Sequence, residues 1–462
     1  MQGYRKGRMK SERMNIVFYF SDQQRPDTIG CYGQKLNISP NIDRVAEEGT
    51  VFEHAFSPQP VCGPCRAIFQ SGLYATDTGC FRNNKLLPLG VKTLANYVEG
   101  IGYETAYVGK WHLASENDLG IDYRRLPVPR EYRGGYTGFW RVSDVLEFTS
   151  DAYGGYIFDE NNNKIEFNGY RCDCITDQAI EYLDDYDPAG GKPFFLTVSQ
   201  IEPHHQNDAH HYQGPEGSRK RFAEYEVPGD LAAYPEGDWD VEYPDYLGAC
   251  ESIDKNFGRL VDKLKEKGLY DNTIIIFSSD HGSHFKTRNR DKHLNGYDDY
   301  KRTCHESGIH VPLVATGGPF KQGGKRVSEL VSTESLPKTI ATLCGCHVDE
   351  LMIGERLQDV AVGNIPDDRE DIVYGQISES RVGRYIRTQK WKYSVVAPGI
   401  NGSVQQGAEY YVDDFLYDLE NDPYELDNLV EKDSYKSIKL ELRSKLKNWI
   451  DRVEHMNVLI ED

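Results

Sequence analysis

The sequence predicts an α/β fold: an α/β/α sandwich with a mostly parallel central sheet, followed by a smaller C-terminal antiparallel sheet-and-helix subdomain. Three observations carry this expectation. Apolar runs of strand length recur through the first two-thirds of the chain and are continuous, as in Asn15–Phe20 (NIVFYF) and Thr273–Ser278 (TIIIFS); such runs belong to strands covered on both faces. They alternate with stretches of helical periodicity, the pattern of repeated helix–strand units. After Cys346 the texture changes to short strand-like runs closed by one amphipathic helix.

Taken in order, the first strand is Asn15–Phe20. Ser39-Pro40 opens a helix to about Glu48, which Gly49 stops. A short helix is expected over Pro64–Gln70, and another over Val91–Glu99 before the strand Thr105–Val108. The helices Ile175–Tyr186 and Tyr246–Lys267 precede the strands Pro193–Ser199 and Thr273–Ser278. Residues near Gly354–Asp371 are polar with Gly and Pro and suit a linker. Three short strands follow at Ile372–Ile377, Gly383–Thr388 and Trp391–Val396, then a helix around Ser437–His455 with Leu442, Leu446, Trp449 and Val453 on its apolar face. The expected organisation is a catalytic domain over 14–350 and a C-terminal subdomain over 365–462.

The net charge of -20 argues against nucleic acid or an anionic membrane as partner, since both need basic surface. A local positive pocket for a small anion stays open, and a bound cation would supply one. The N-terminal stretch is basic, but the apolar run Ile16–Phe20 is too short for a signal h-region. No stretch approaches a membrane span. The expected location is cytoplasmic, where ten scattered cysteines suit reduced thiols better than a disulfide framework.

In doubly covered parallel sheets, ligands gather at the carboxyl ends of the strands. Asp22 follows the first strand and Asp280-His281-Gly282 follows TIIIFSS. On adjacent strands the two carboxylates would repel, which a hard divalent cation such as Ca²⁺ or Mg²⁺ resolves; as isolated loop-capping aspartates they would mean little. Gly282 would permit close backbone approach there. Lys110 and His112 alternate along one segment, so in extended backbone both would point to one face. A cation and an imidazole beside a metal suit the binding and cleavage of an anionic ester. His204 and His205, beyond another strand, offer further imidazoles for acid chemistry. Lys301 by itself carries little.

Residues 62–66 read Cys62-Gly63-Pro64-Cys65-Arg66. One reading is a dithiol redox site, whose thiol the helix N-terminus and Arg66 would acidify. The other is a cysteine set out for conversion into something else. Around Cys62-x-Pro64-x-Arg66 stand IVFYFSDQQRPDTIGCYG (16–33), VGKWHLA (108–114), IEPHH (201–205), SSDHGSH (278–284), YKRTCHESGIHVPLV (300–314) and LYDLENDPYELDNL (416–429). At these residues the chain resembles the type I sulfatases, the formylglycine-dependent branch of the alkaline-phosphatase-like superfamily, over nearly its whole length and in the family's order.

The resemblance implies that Cys62 is oxidised to formylglycine by a formylglycine-generating or anaerobic sulfatase-maturating enzyme, and that its hydrated aldehyde is the nucleophile. It implies Ca²⁺, or Mg²⁺, held by Asp22, Gln23, Asp280, His281 and residue 62. Arg66, Lys110 and His112 would orient and activate the nucleophile, with His112 as the base that releases sulfate. His204 and Lys301 would hold the sulfate and protonate or stabilise the leaving alcohol, Lys301 being preferred to Arg302. Gln23 departs from the family's usual aspartate, which leaves one charge fewer on the metal. His310 replaces a more usual arginine, and Cys65 a serine.

The substrate implied is a sulfate ester. Polar crowding at Arg82-Asn83-Asn84 and over His204–Asp208 favours a sulfated sugar, with Asn84, His205 and Asp208 as candidate contacts; solvated loops would look the same. A phosphonate or phosphodiester hydrolase of the same superfamily is the alternative within enzymes. From a different class, the alternative is a non-catalytic or dithiol protein with unmodified Cys62. A homo-oligomer is compatible with all of these.

Overall fold

The computed structural model describes residues 13–115, 120–289, 300–348, 350 and 352–461. The basic N-terminal stretch over 1–12 lies outside them. Eleven strands form the larger sheet: β1 (Asn15–Ser21), β2 (Thr50–Phe56), β3 (Glu104–Lys110), β4 (Phe139–Ser143), β5 (Tyr153–Phe158), β6 (Lys164–Tyr170), β7 (Phe194–Ser199), β8 (Thr273–Ser279), β9 (His310–Val311), β10 (Leu313–Thr316) and β11 (Lys325–Ser332). Their order is β11-β2-β10-β8-β1-β7-β3-β4-β5-β6, with β9 paired to β2. The centre, β8-β1-β7-β3-β4, is parallel throughout. Antiparallel strands occur on both sides of it, β10 towards one edge and the β5–β6 hairpin at the other.

The unbroken apolar character of β1 has its cause in this position. Ile16, Phe18 and Phe20 enter one core and Val17 and Tyr19 the other, so neither face meets water. The helices Cys62–Ser71, Leu94–Gly100 and Ser335–Cys344 cover the first face, and Pro40–Glu48, Arg171–Asp185 and Trp239–Glu266 the second. The result is the expected three-layer sandwich.

Several bounds differ from expectation for local reasons. The helix read from Val91 starts at Leu94, because Thr93 closes a capping box with Asn96. The long helix begins at Trp239, seven residues before Tyr246, and carries Pro244 within it; the proline forfeits one backbone donor near the start. Within the stretch read as a linker, Leu357–Val362 is helical and buries Leu357, Val360 and Ala361 in the first core. The β5–β6 hairpin has no apolar run to betray it, since β6 alternates exposed and half-buried residues.

The second sheet runs β12 (Ile372–Ile377), β13 (Gly383–Thr388), β14 (Trp391–Val396), β15 (Tyr410–Asp418) and β16 (Leu459–Glu461). It is antiparallel from β12 to β15, and β16 joins β15 in parallel. The helix Lys436–Glu454 lays Leu442, Leu446, Ile450 and Val453 on it. Gln376 N–H donates to the Pro58 carbonyl at 2.8 Å and Tyr385 Oη to that of Ser57 at 2.9 Å, so this sheet grips the segment leading into Cys62.

Glu334, directly before the helix Ser335–Cys344, is buried, and its carboxyl is pushed up to about 8, chiefly by burial and less by Glu355. The folded state therefore keeps a proton that the unfolded chain releases near pH ~4.3. Stability attributable to this group falls as pH rises from there towards 8. Glu334→Gln is expected to raise Tm by ~1–3 °C at pH 8 and hardly at pH 5. Thermal melts at the two pH values check this; a difference independent of pH would show that the carboxyl is not held protonated.

Candidate active site

The carboxyl ends of β1, β3, β7 and β8 and the helix following β2 open on the same side of the sheet. β1 delivers Asp22 and Gln23, β3 delivers Lys110, β8 delivers Asp280 and His281, and the loop after β7 delivers His204. The approach of β3 to β7 is close at Gly109, where a Cβ would lie 1.9 Å from the Ser199 carbonyl oxygen and φ is +107°, so only glycine fits before Lys110. Gly282 is similarly required: a Cβ there would stand 2.3 Å from the Ser307 carbonyl oxygen.

Cys62 is the first residue of its helix and is 1% exposed. Its Sγ lies 3.4 Å from Asp22 Oδ1 and 3.3 Å from His281 Nε2, and it accepts from Lys301 Nζ at 3.0 Å. Lys301 Nζ also lies 2.9 Å from His204 Nε2. An ammonium can only donate, so His204 presents the lone pair of Nε2 to it. Likewise His281 Nδ1 donates to the Gly282 carbonyl at 3.0 Å, which leaves Nε2 bare towards Cys62. Arg66 Nη2 and Lys110 Nζ each donate to Asp22 Oδ2 at 2.9 Å. The second nitrogen of Arg66 donates to the Lys110 carbonyl, and Lys110 also meets Glu147 at 3.2 Å.

This clustering separates two carboxyls of the same chemical type. Burial alone would raise Asp22, but the charges of Lys110, Arg66 and Lys301 together hold it well below the usual range. Asp280, also buried and facing the charge of Asp22, is pushed up to about 7. Burial and neighbouring cations keep His281, His204 and His112 neutral.

Asp22, Cys62, Asp280 and His281 each offer a ligand atom, all within 4.8 Å of one another. Gln23 Oε1 is buried without a hydrogen-bond partner among the described residues, and Asp280 Oδ2, without a hydrogen bond, faces the Arg66 guanidinium at 3.4 Å. Unpartnered buried oxygens are costly, and oxygen donors beside bare imidazole suit a hard divalent cation; the residues present fit a metal.

Two sequence expectations are corrected. The Cys62 thiol is not acidified: burial, then the charge of Asp22, pushes it up to about 12 against Lys110 and Lys301. Cys65, on the same helix, is raised as well and lies against Ser57 Oγ. All ten cysteines are free, and two buried protonated thiols with different neighbours make a poor redox pair. His112 does not continue the extended run from Lys110, because its φ is +61°. It is nevertheless buried within reach of the charges of Lys110, Arg66, Asp22 and Lys301.

Among the substrate candidates, His205 packs its ring on Tyr300 and Tyr212 and meets Asn207. Asp208 is exposed and accepts from Gln206, and Asn84 is half-buried with φ +62°. Asn83 instead takes a structural task, its Oδ1 accepting from Gly63 N–H at 2.9 Å at the head of the Cys62 helix. Glu379, from the turn between β12 and β13, accepts from Asn83 N–H at 2.6 Å and from Arg302 Nε at 2.5 Å. Glu147 and Glu379 had no sequence signal, since a lone carboxylate in a loop has no pattern.

The Sulfatase family model matches residues 14–346, and the model described as N-sulphoglucosamine sulphohydrolase, C-terminal, matches residues 295–452. An ulvan-active sulfatase of Formosa agariphila is 28% identical over 452 residues, covering 94% of this chain and 80% of that protein. An N-acetylglucosamine-6-O-sulfatase of Bacteroides thetaiotaomicron is 24% identical, covering 94% and 85%. A protein solved in complex with its substrate D-glucosamine-2-N,6-O-disulfate superposes with a TM-score of 0.74 at 22% identity, covering 96% of this chain and 99% of that one. No helix among the described residues is long and apolar enough to cross a membrane. With the family model spanning most of the chain and the sheet bearing its charged cluster at the expected end, the protein belongs to the sulfatase family and is a sulfuric ester hydrolase.

Proposed function

We propose that the protein is a carbohydrate O-sulfatase that uses formylglycine made from Cys62, with Ca²⁺ as the metal and Mg²⁺ as the alternative ion. The observation that carries this reading is the setting of Cys62, a sealed, non-acidic thiol touching Asp22, His281 and Lys301. A buried thiol with these neighbours suits the precursor of a nucleophile better than a redox centre. The sugar part of the reading is supported by relatives named for ulvan and N-acetylglucosamine. On this reading residues 14–350 are the catalytic domain and 365–462 the subdomain that braces it.

Asp22, Gln23, Asp280, His281 and residue 62 would hold the cation, which supplies positive potential for an anionic ester and for residue 62. Formylglycine hydrate supplies one hydroxyl to attack sulfur and a second whose deprotonation releases sulfate without attack by water. Arg66 and Lys110 fix Asp22 and carry charge that offsets the sulfate's own. Lys301 bridges residue 62 and His204, so the leaving alcohol meets a donor on that side. His112, buried and facing the charges of Lys110, Arg66 and Lys301, would take the proton when sulfate departs.

The test is a panel of defined sulfated monosaccharides run beside an aryl sulfate, a phosphodiester and a phosphonate monoester, using protein co-produced with a maturase. Conversion is read by intact mass, formylglycine being about 18 Da lighter than cysteine. Turnover highest on a sulfated sugar is expected. Dominant phosphodiester or phosphonate hydrolysis would overturn the assignment, as would converted protein that is inert on every sulfated sugar.

A further inference from the structure

Gln23 is held at every polar atom but one. Its N–H donates to Asp280 Oδ1 at 3.1 Å, and its carbonyl accepts from Tyr246 Oη at 2.8 Å. Its side-chain nitrogen donates to Tyr212 Oη at 2.9 Å and to Ser283 Oγ at 3.3 Å. Both amide protons are thereby used. Tyr212 Oη and Ser283 Oγ are themselves 2.8 Å apart. Each hydroxyl oxygen accepts from the Gln23 amide, and one of the two hydroxyls donates to the other. The backbone of Gln23 sits in the left-handed region at φ +70°, a conformation that costs free energy in a non-glycine residue. What remains is Oε1, buried and without a hydrogen-bond partner among the described residues.

We propose that Tyr212 and Ser283 are positioning residues that act through Gln23, fixing its amide so that the oxygen and not the nitrogen is offered to the metal. The inference rests on the metal reading given above. The need for such a clamp follows from the residue type. A carboxylate presents an acceptor whichever way it turns, whereas a primary amide flipped about its last torsion would present two N–H donors to a cation. Tyr212 is fully buried between Tyr246, Phe285 and Tyr300, so its hydroxyl has no freedom to leave the amide. Removing an outer partner of a metal ligand typically costs 10–100-fold in affinity.

The experiment is calorimetric titration of Ca²⁺ into chelator-stripped full-length protein, comparing the parent, Tyr212→Phe, Gln23→Ala and the double variant. Tyr212→Phe keeps the ring packing, and thermal melts without metal should place its Tm close to the parent's. Its Kd for Ca²⁺ is expected to weaken about tenfold or more, and the double variant to bind no worse than Gln23→Ala alone. Parent-like Kd in Tyr212→Phe would overturn the clamp. So would the same loss appearing again on top of Gln23→Ala, since Tyr212 would then act by another route. A parent that takes up no Ca²⁺ would overturn the metal reading itself, and the clamp with it.

Discussion

Cys62→Ser is expected to lower turnover of sulfate esters by about 10⁴-fold or more, with little change in the fold. The oxygen would take the place of Sγ, within reach of Lys301 Nζ and His281 Nε2. A serine hydroxyl still sits where a sulfate ester would be bound, so one attack on sulfur can occur. What serine lacks is a second hydroxyl on the same carbon, and the product is a sulfate ester of the enzyme with no route to collapse. Intact-mass measurement after incubation with substrate should show a covalent gain of about 80 Da on the serine variant. Parent-like turnover by a variant confirmed to carry serine would end the formylglycine reading. Cys65→Ser, by contrast, should remain active, because Cys65 faces Ser57 and takes no part in the cluster.

Lys110→Met is expected to damage both stability and catalysis. Lys110 is fully buried, with Asp22 at 2.9 Å and Glu147 at 3.2 Å. Methionine fills similar space, but it leaves two buried carboxyls facing each other's field with one cation fewer. Removing one partner of a buried pair costs about 3–5 kcal/mol, and loss of a charge aimed at the sulfate costs a further ~10²–10³ in kcat. The pH dependence has a definite sign. Asp22 lies below its unfolded value, so its contribution to stability is present above that value and is lost as pH falls through the folded one. Without Lys110, burial regains weight and the folded value rises towards the unfolded one, so less pH-dependent stability is left to lose. Urea titrations at pH 7 and pH 3 should therefore show the variant losing less than the parent on acidification. Equal losses would mean that Lys110 does not hold the Asp22 carboxylate.

The sequence was most readable where one physical requirement dominates. β1 and β8 had to be apolar at every position because they lie side by side at the centre of the sheet, and their polar ends had to carry the chemistry. Asp22 and Asp280 come from those ends, and Cys62, Arg66 and Lys301 join them from the helix after β2 and the segment before β9. The amphipathic closing helix was legible for the same reason, a single face to bury. Residues whose role depends on partners far along the chain were silent. Glu147 meets Lys110 only because β3 and β4 pair in parallel, and Glu379 reaches Asn83 only through the turn of a different sheet. His112 shows a subtler failure: alternation assumes extended backbone, and at +61° the assumption breaks. The Cys62 thiol misled because a helix N-terminus and an arginine were visible in the sequence, whereas its burial and the Asp22 charge were not.

The burial of Cys62 also sets a schedule. Lys301, which closes over its sulfur, lies 239 residues further along the chain, and β8, the neighbour of β1, is complete only at Ser279. At a synthesis rate of ~5–20 residues per second, roughly 10–50 s pass between the emergence of the cysteine and that of the lysine. On the formylglycine reading, the modifying enzyme acts in that interval, before the fold closes over the sulfur. What such an enzyme can read is a short linear string, and Cys62-x-Pro64-x-Arg66 is one. The same five residues are therefore addressed twice, first as an extended signal during synthesis and later as the first turn of a buried helix.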